Sequence, residues 1–143
     1  MKIVNGDLWQ AQANVIAVTT NAVITQDLKL VMGAGAAKQM LDRYPGIDAE
    51  AAEKIVKQTN PRRYGFLVIR PSLAIFQTKG HFRADSDPEL IELSVETLLA
   101  YTKKHPTTTI AVNFPGIGLG NLTPRQVKPI IGVLPDTVTF YWR

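Results

Sequence analysis

The sequence predicts an α/β domain of three layers, helices on both faces of a mixed, mostly parallel central sheet, and three observations carry that prediction. Strand-like runs rich in β-branched residues alternate with helix-like runs along the whole chain. Near the middle, Phe66 to Ile69 and Leu73 to Gln77 are separated only by Arg70-Pro71-Ser72, the spacing of an antiparallel hairpin. Glycine-rich segments follow strand runs and open helices, which is where open α/β sheets bind ligands.

Taken in order, Lys2 to Val4 and Asn14 to Thr20 (NVIAVTT) are nearly continuous in apolar character, the pattern of strands buried on both faces. Met32-Gly33-Ala34-Gly35 opens an alanine-rich helix from Ala36 to Tyr44, stopped by Pro45-Gly46. A second helix spans Asp48 to Gln58 and ends before Asn60-Pro61. Ser86 with Glu89 reads as a capping box ahead of Leu90, Ile91, Val95, Leu98 and Leu99, which share one helical face. Thr109 to Phe114 is a buried-strand run. Thr123-Pro124 with Gln126 reads as N-cap, first-turn proline and N3 glutamine of a last helix. Val138 to Trp142 closes with a strand. No repeat, low-complexity tract or linker interrupts the chain, so residues 1–143 read as one domain.

Composition narrows the function. Hydrophobic residues make up 45% and charged residues 20% of the 143, the balance of an ordinary globular chain. No apolar run approaches the roughly 18 residues that span a bilayer, and no secretory signal is readable, so a soluble cytoplasmic protein without membrane contact is expected. Zero cysteines exclude disulfides, cysteine zinc sites and thiol nucleophiles, and two histidines leave little for a metal cluster. Neither metal nor cofactor is expected. A net charge of +4 suits an anionic partner, but apart from Arg62 with Arg63 and Lys103 with Lys104 the cations are dispersed, as on an ordinary basic surface.

Three loops hold residues able to do chemistry. The first carries Asn21 and then Val31-Met32-Gly33-Ala34-Gly35-Ala36 at a helix start, where glycine permits close approach and free amides attract anions. A diphosphate site and a plain flexible connector fit that pattern equally. The second is Pro115-Gly116-Ile117-Gly118-Leu119-Gly120-Asn121, whose alternate glycines allow a concave nest of N–H groups. It lacks the lysine and hydroxyl of a P-loop, and its spacing is not the dinucleotide fingerprint. The third, Gln77-Thr78-Lys79-Gly80-His81-Phe82-Arg83, sets a lysine between a hydroxyl and a glycine at a strand end. No Ser/His/Asp set or paired-carboxylate pattern is present to support hydrolysis by those routes.

In this order the loops resemble those of macrodomains, a family of ADP-ribose-binding modules and ADP-ribose hydrolases. Asn5-Gly6-Asp7-Leu8 is similar to the family's opening element, and VTTNAV followed by VMGAGAAKQM to its first ligand loop. FQTKGHFR, SDPELIELSVETL and NFPGIGLGNL are most similar to the branch containing the DNA ADP-ribosyl glycohydrolase DarG and terminal ADP-ribose protein glycohydrolase. The resemblance spans nearly the whole chain and implies a macrodomain that removes ADP-ribose from modified DNA or protein, with nucleic acid met only as modified substrate and the protein acting as a monomer. A non-catalytic ADP-ribose reader and an ADP-ribose 1″-phosphate phosphatase are the other activities it allows.

By position, the resemblance implies that Asp7 accepts from the adenine amino group beside the Leu8 backbone, with Tyr141 bordering the base. The diphosphate would lie between Gly33, Ala34, Gly35 and Ala36 on one side and Gly116, Ile117, Gly118, Leu119 and Gly120 on the other, with Met32, Pro115 and Asn121 also among the ligand-binding residues. Asn21 would lie near the distal ribose, Thr78 is a further ligand-binding residue, and Lys79 matches the lysine to which this branch assigns catalysis at the anomeric carbon. Terminal ADP-ribose protein glycohydrolase carries an aspartate after the second glycine loop. Here that place is held by Asn121, whose neutral amide is neither acid nor base.

Overall fold

The computed structural model describes residues 1–142. The strands are β1 (Lys2–Asn5), β2 (Val15–Thr20), β3 (Phe66–Arg70), β4 (Leu73–Gln77), β5 (Ile110–Asn113) and β6 (Val138–Trp142). The helices are α1 (Gly35–Arg43), α2 (Ile47–Val56), α3 (Pro88–Lys104) and α4 (Pro124–Ile131). One six-stranded sheet runs β1-β6-β5-β2-β4-β3, parallel throughout except for β3 against β4. The hairpin expected at Arg70-Pro71-Ser72 is thus present, and it puts the antiparallel strand at one edge of the sheet.

Strand alternation divides the core into two layers, because successive side chains leave opposite faces of a sheet. Val15 and Ala17 of β2, Ala74 and Phe76 of β4, Ile110 and Val112 of β5 and Val138 and Phe140 of β6 pack under α3 and α4, against Ile91, Val95, Leu98, Val127 and Ile131. On the other face, Val18, Leu73, Ile75 and Ala111 pack against Ala37 and Met40 of α1 and Ala51 and Ile55 of α2. The result is the three-layer sandwich that the alternation of elements predicts.

Two local expectations are corrected. β1 is not buried on both faces: it is an edge strand paired only with β6, and Lys2, Val4 and Asn5 are exposed. The cap of α3 is Asp87 rather than Ser86, with its carboxylate accepting from Glu89 N at 2.9 Å and Pro88 at the first turn. Ser86 is instead buried, its N–H bound to Gly120 O at 2.9 Å. The capping box of α4 is as the sequence predicts, Thr123 and Gln126 satisfying each other's backbone groups. Among the described residues no helix is long and apolar enough to cross a membrane.

Candidate functional site

A cleft of about 500 Å³ opens at the carboxyl ends of β2, β4 and β5. These are neighbours in the sheet, but the chain reaches β4 from β2 by way of α1 and α2, and returns from β4 to β5 by way of α3 on the opposite face. Diverging connections of this kind leave a crevice between them, which is where open sheets hold ligands.

The floor is made by the strand ends. Asn113, last in β5, accepts from Thr19 N and donates to Thr19 Oγ1, each at 2.9 Å, and so ties β5 to β2 beneath the cleft. Beside it the Thr20 hydroxyl meets the Tyr64 hydroxyl, which donates to the Asn21 carbonyl. Burial pushes the Tyr64 phenol well above its ordinary pKa, with the Thr20 hydrogen bond acting against that shift, so Tyr64 remains a neutral donor. The Asn21 side chain accepts from Val23 N at 2.9 Å and donates to Val31 O at 3.0 Å, folding the first loop back on itself.

One wall is the start of α1. Its N-cap is Ala34, which supplies no side-chain hydrogen bond, whereas α3 and α4 are capped by Asp87 and Thr123. The first amides of a helix lack intrahelical acceptors. Those of α1 are therefore left at the wall of the cleft, which Gly33, Ala34, Gly35, Ala36 and Ala37 line. Together with the helix dipole they form an anion site.

The opposite wall is the second glycine loop. Gly116 and Gly118 adopt the left-handed backbone, at φ +80 and +64, which turns the chain sharply after β5. Leu122 N closes the loop on Gly116 O at 2.8 Å and Asn121 N binds Gly118 O at 3.0 Å, while Gly116 N and Ile117 N find no acceptor among the described residues. Two further amides without a protein acceptor thus belong to residues that line the cleft. The loop is fastened across the mouth by Gly120 O to Ser86 N and by Asn121 Nδ2 donating to Asp85 Oδ1 at 2.7 Å.

Lys79 stands between the walls, half-buried, without a hydrogen-bonded or ion-paired carboxylate among the described residues. It is the sole ionisable side chain among the described residues lining the cleft. Next to it Phe82, 41% exposed, lines the mouth and stacks on His81 at 4.2 Å between ring centres.

Of the residues singled out in the sequence, Asn21, Met32, Gly33, Ala34, Gly35, Ala36, Thr78, Lys79, Gly116, Ile117, Leu119 and Gly120 line the cleft together. Pro115, Gly118 and Asn121 belong to the second loop but lie outside the lining. Asp7, Leu8 and Tyr141 are not part of it either. They sit at the same end of the sheet, beyond β5, where the Asp7 carboxylate accepts from Trp9 N at 3.0 Å and Leu8 is buried in the α1–α2 layer. Phe82, Ser86 and Asn113 line the cleft without standing out in the sequence as site residues. For Asn113 a signal existed, a carboxamide ending an apolar strand just before a glycine loop. Ser86 reads as a cap, and only the fold reveals that it faces Gly120. Among the described residues no cluster of His, Asp or Glu is placed to hold a metal.

The macrodomain of Mycobacterium tuberculosis DarG superposes on the chain with a TM-score of 0.79 and 27% identity, covering 99% of this chain and 97% of that one. This is the macrodomain fold. The macrodomain of Thermus aquaticus DarG is similar too, at 23% identity, a TM-score of 0.71 and coverage of 99% and 97%. A Thermosipho africanus DarTG structure in complex with ADP-ribose matches 97% of this chain but 40% of its own length, at 22% identity and a TM-score of 0.73. At that identity the last two bear on the fold alone. Neither a protein-family model nor a curated protein matches the chain. The macrodomain resemblance expected from VMGAGAAKQM, QTKGHFR and FPGIGLGN therefore rests on structure, and the DarG macrodomains are among the proteins that share it.

Proposed function

We propose that the cleft binds ADP-ribose and that the protein hydrolyses the glycosidic bond joining the distal ribose to a modified macromolecule, DNA or protein. The observation that carries the proposal is the pairing of one cation with two sets of amides without protein acceptors. The uncapped start of α1 and the Gly116–Ile117 turn suit a diphosphate, and Lys79 is the cation that faces it. In this reading the adenosine extends beyond β5 toward Asp7, Leu8 and Tyr141, and the distal ribose lies over Asn21, Thr78 and Lys79. ADP-ribose is the ligand of the Thermosipho complex, which shares this fold.

No carboxylate is among the described residues lining the cleft, which leaves the Lys79 amine as the group to act on the anomeric carbon. Its Nζ forms a bond to that carbon as the bond to the acceptor breaks, and the acceptor leaves with a proton. Water then replaces Nζ, giving free ADP-ribose and returning the amine. Release of ADP-ribose from modified DNA and from modified protein, assayed side by side, tests this. Lys79→Ala is expected to abolish release while leaving ADP-ribose affinity within about tenfold, or 1.4 kcal/mol. Full turnover in that variant contradicts the assignment.

The missing carboxylate also supports a second reading, a module that recognises ADP-ribose without turnover. A diphosphate stabilises a neighbouring ammonium, and Lys79 is then an electrostatic clamp. Tight binding with no release from any modified acceptor by the wild-type protein favours that reading.

A further inference from the structure

We infer that Gln77 is a positioning residue that aims Lys79. This rests on the proposed role of Lys79, and the reason lies in how the segment beneath that lysine is held. Three successive carbonyls are each tied to a different part of the fold. Thr78 O accepts from Asp87 N at 2.8 Å, Lys79 O from Gln77 Nε2 at 3.3 Å, and Gly80 O from Ala22 N at 3.0 Å. Two of these anchors are backbone amides, which side-chain substitution leaves in place. The tether on the lysine's own carbonyl is a side chain.

Gln77 is fully buried at the end of β4, an unfavourable place for a carboxamide unless all of its groups are used. They are. Its Oε1 accepts from Gly65 N at 3.2 Å, and its Nε2 donates to Arg62 O at 2.7 Å as well as to Lys79 O. The same 61–65 segment carries Tyr64, whose hydroxyl holds the Asn21 carbonyl under the first loop. One brace, running from Arg62 to Gly65, thus supports both the loop of Asn21 and the loop of Lys79, and Gln77 joins it to the lysine. Ser94 Oγ donates to Gln77 O at 2.6 Å and fixes the residue from α3 as well. An apolar side chain would fill this volume at the end of β4, but it would leave the Lys79 carbonyl without its tether.

Gln77→Met and Gln77→Glu test the inference. The first keeps length and removes both hydrogen-bonding functions. The second keeps the acceptor for Gly65 N and removes the amide donors. Each is made with and without Lys79→Ala, folding is checked by thermal melting, and ADP-ribose affinity and kcat for ADP-ribose release are measured well below Tm. Displacement of a reacting group by about 1 Å costs on the order of 100-fold in rate. The expected result is a fall of about that size in kcat, with ADP-ribose Kd changed by no more than about threefold in either lysine background. Should one variant fail to fold, the other carries the same comparison.

If the wild-type protein shows no turnover, the enzyme reading fails, and the positioning role is then read from binding. Lys79→Ala is expected to weaken ADP-ribose binding in the wild-type background and to have no effect once Gln77 is replaced. An unchanged kcat overturns the inference. Equal loss of affinity in both lysine backgrounds does so too, because a merely structural glutamine would act without reference to Lys79.

Discussion

At Gly120 an added methyl group forces a shift of Ser86 or of the loop: a Cβ there would stand 2.3 Å from Ser86 Oγ and 3.1 Å from Ser86 Cβ. Gly118 differs, since a Cβ would meet nothing within 4 Å, and its φ of +64 is what demands glycine. The two positions should therefore fail in different ways. Gly120→Ala pushes the second loop off the Ser86 segment, and calorimetry should show ADP-ribose affinity reduced about tenfold or more, some 1.4 kcal/mol. Gly118→Val strains the turn itself and should weaken binding without unfolding the protein. Wild-type affinity in both variants would mean that this loop is only a strand-to-helix crossover. At this scale the sequence shows which residue types gather in each loop, because glycine and a lone lysine after a strand are local signals. It does not show that Ser86 faces Gly120 or that Asp85 reaches Asn121 across 36 positions, since such contacts depend on how the loops meet in space.

Among the elements, α3 offers the sharpest test, because two adjacent residues, Ser86 and Asp87, are both good N-caps in sequence. The capping pattern reads one residue early. A proline cannot follow an N-cap at the second helical position as easily as at the first, and Pro88 sits at the first turn after Asp87. Asp87→Ala should lower stability by about 1 kcal/mol in urea titration. Ser86→Ala leaves the cap intact, and a larger loss in that variant accompanied by none in Asp87→Ala would contradict the assignment.

A second element-scale contact joins α2 to the end of β3, where Arg70 donates from Nε and Nη2 to the two carboxylate oxygens of Glu50. The Arg70 hydrogen bond holds the Glu50 carboxyl below its ordinary value of 4.5, with its charge adding to the effect and partial burial opposing it. A carboxyl that is more acidic in the folded state stabilises the fold above its unfolded pKa and loses that contribution as pH falls through the folded one. The Tm difference between wild type and Arg70→Met should accordingly be largest at neutral pH and shrink as pH drops below about 4.5. Both side chains are partly exposed, so the difference should be small and reduced by salt. A gap that widens in acid would contradict the pairing.

Across the whole molecule, the three layers are legible because strand and helix periods differ, and the hairpin because a proline-centred turn separates two apolar runs. Strand order is not written locally. That β2 lies between β5 and β4 follows from α3 crossing one face of the sheet while α1 and α2 cover the other. It is this order that brings Asn21, Lys79 and the second glycine loop around one cleft, although they lie far apart in the chain. The exposed character of β1 comes from the same source, an apolar run placed at an edge. The central claim, that this cleft is an ADP-ribose site, is tested most directly by calorimetric titration of the wild-type protein with free ADP-ribose, accompanied by thermal melting. Saturable binding is predicted, with about 2.7 kcal/mol of added stability at a ligand concentration 100-fold above Kd; no heat of binding and no shift in Tm at millimolar ADP-ribose would contradict it.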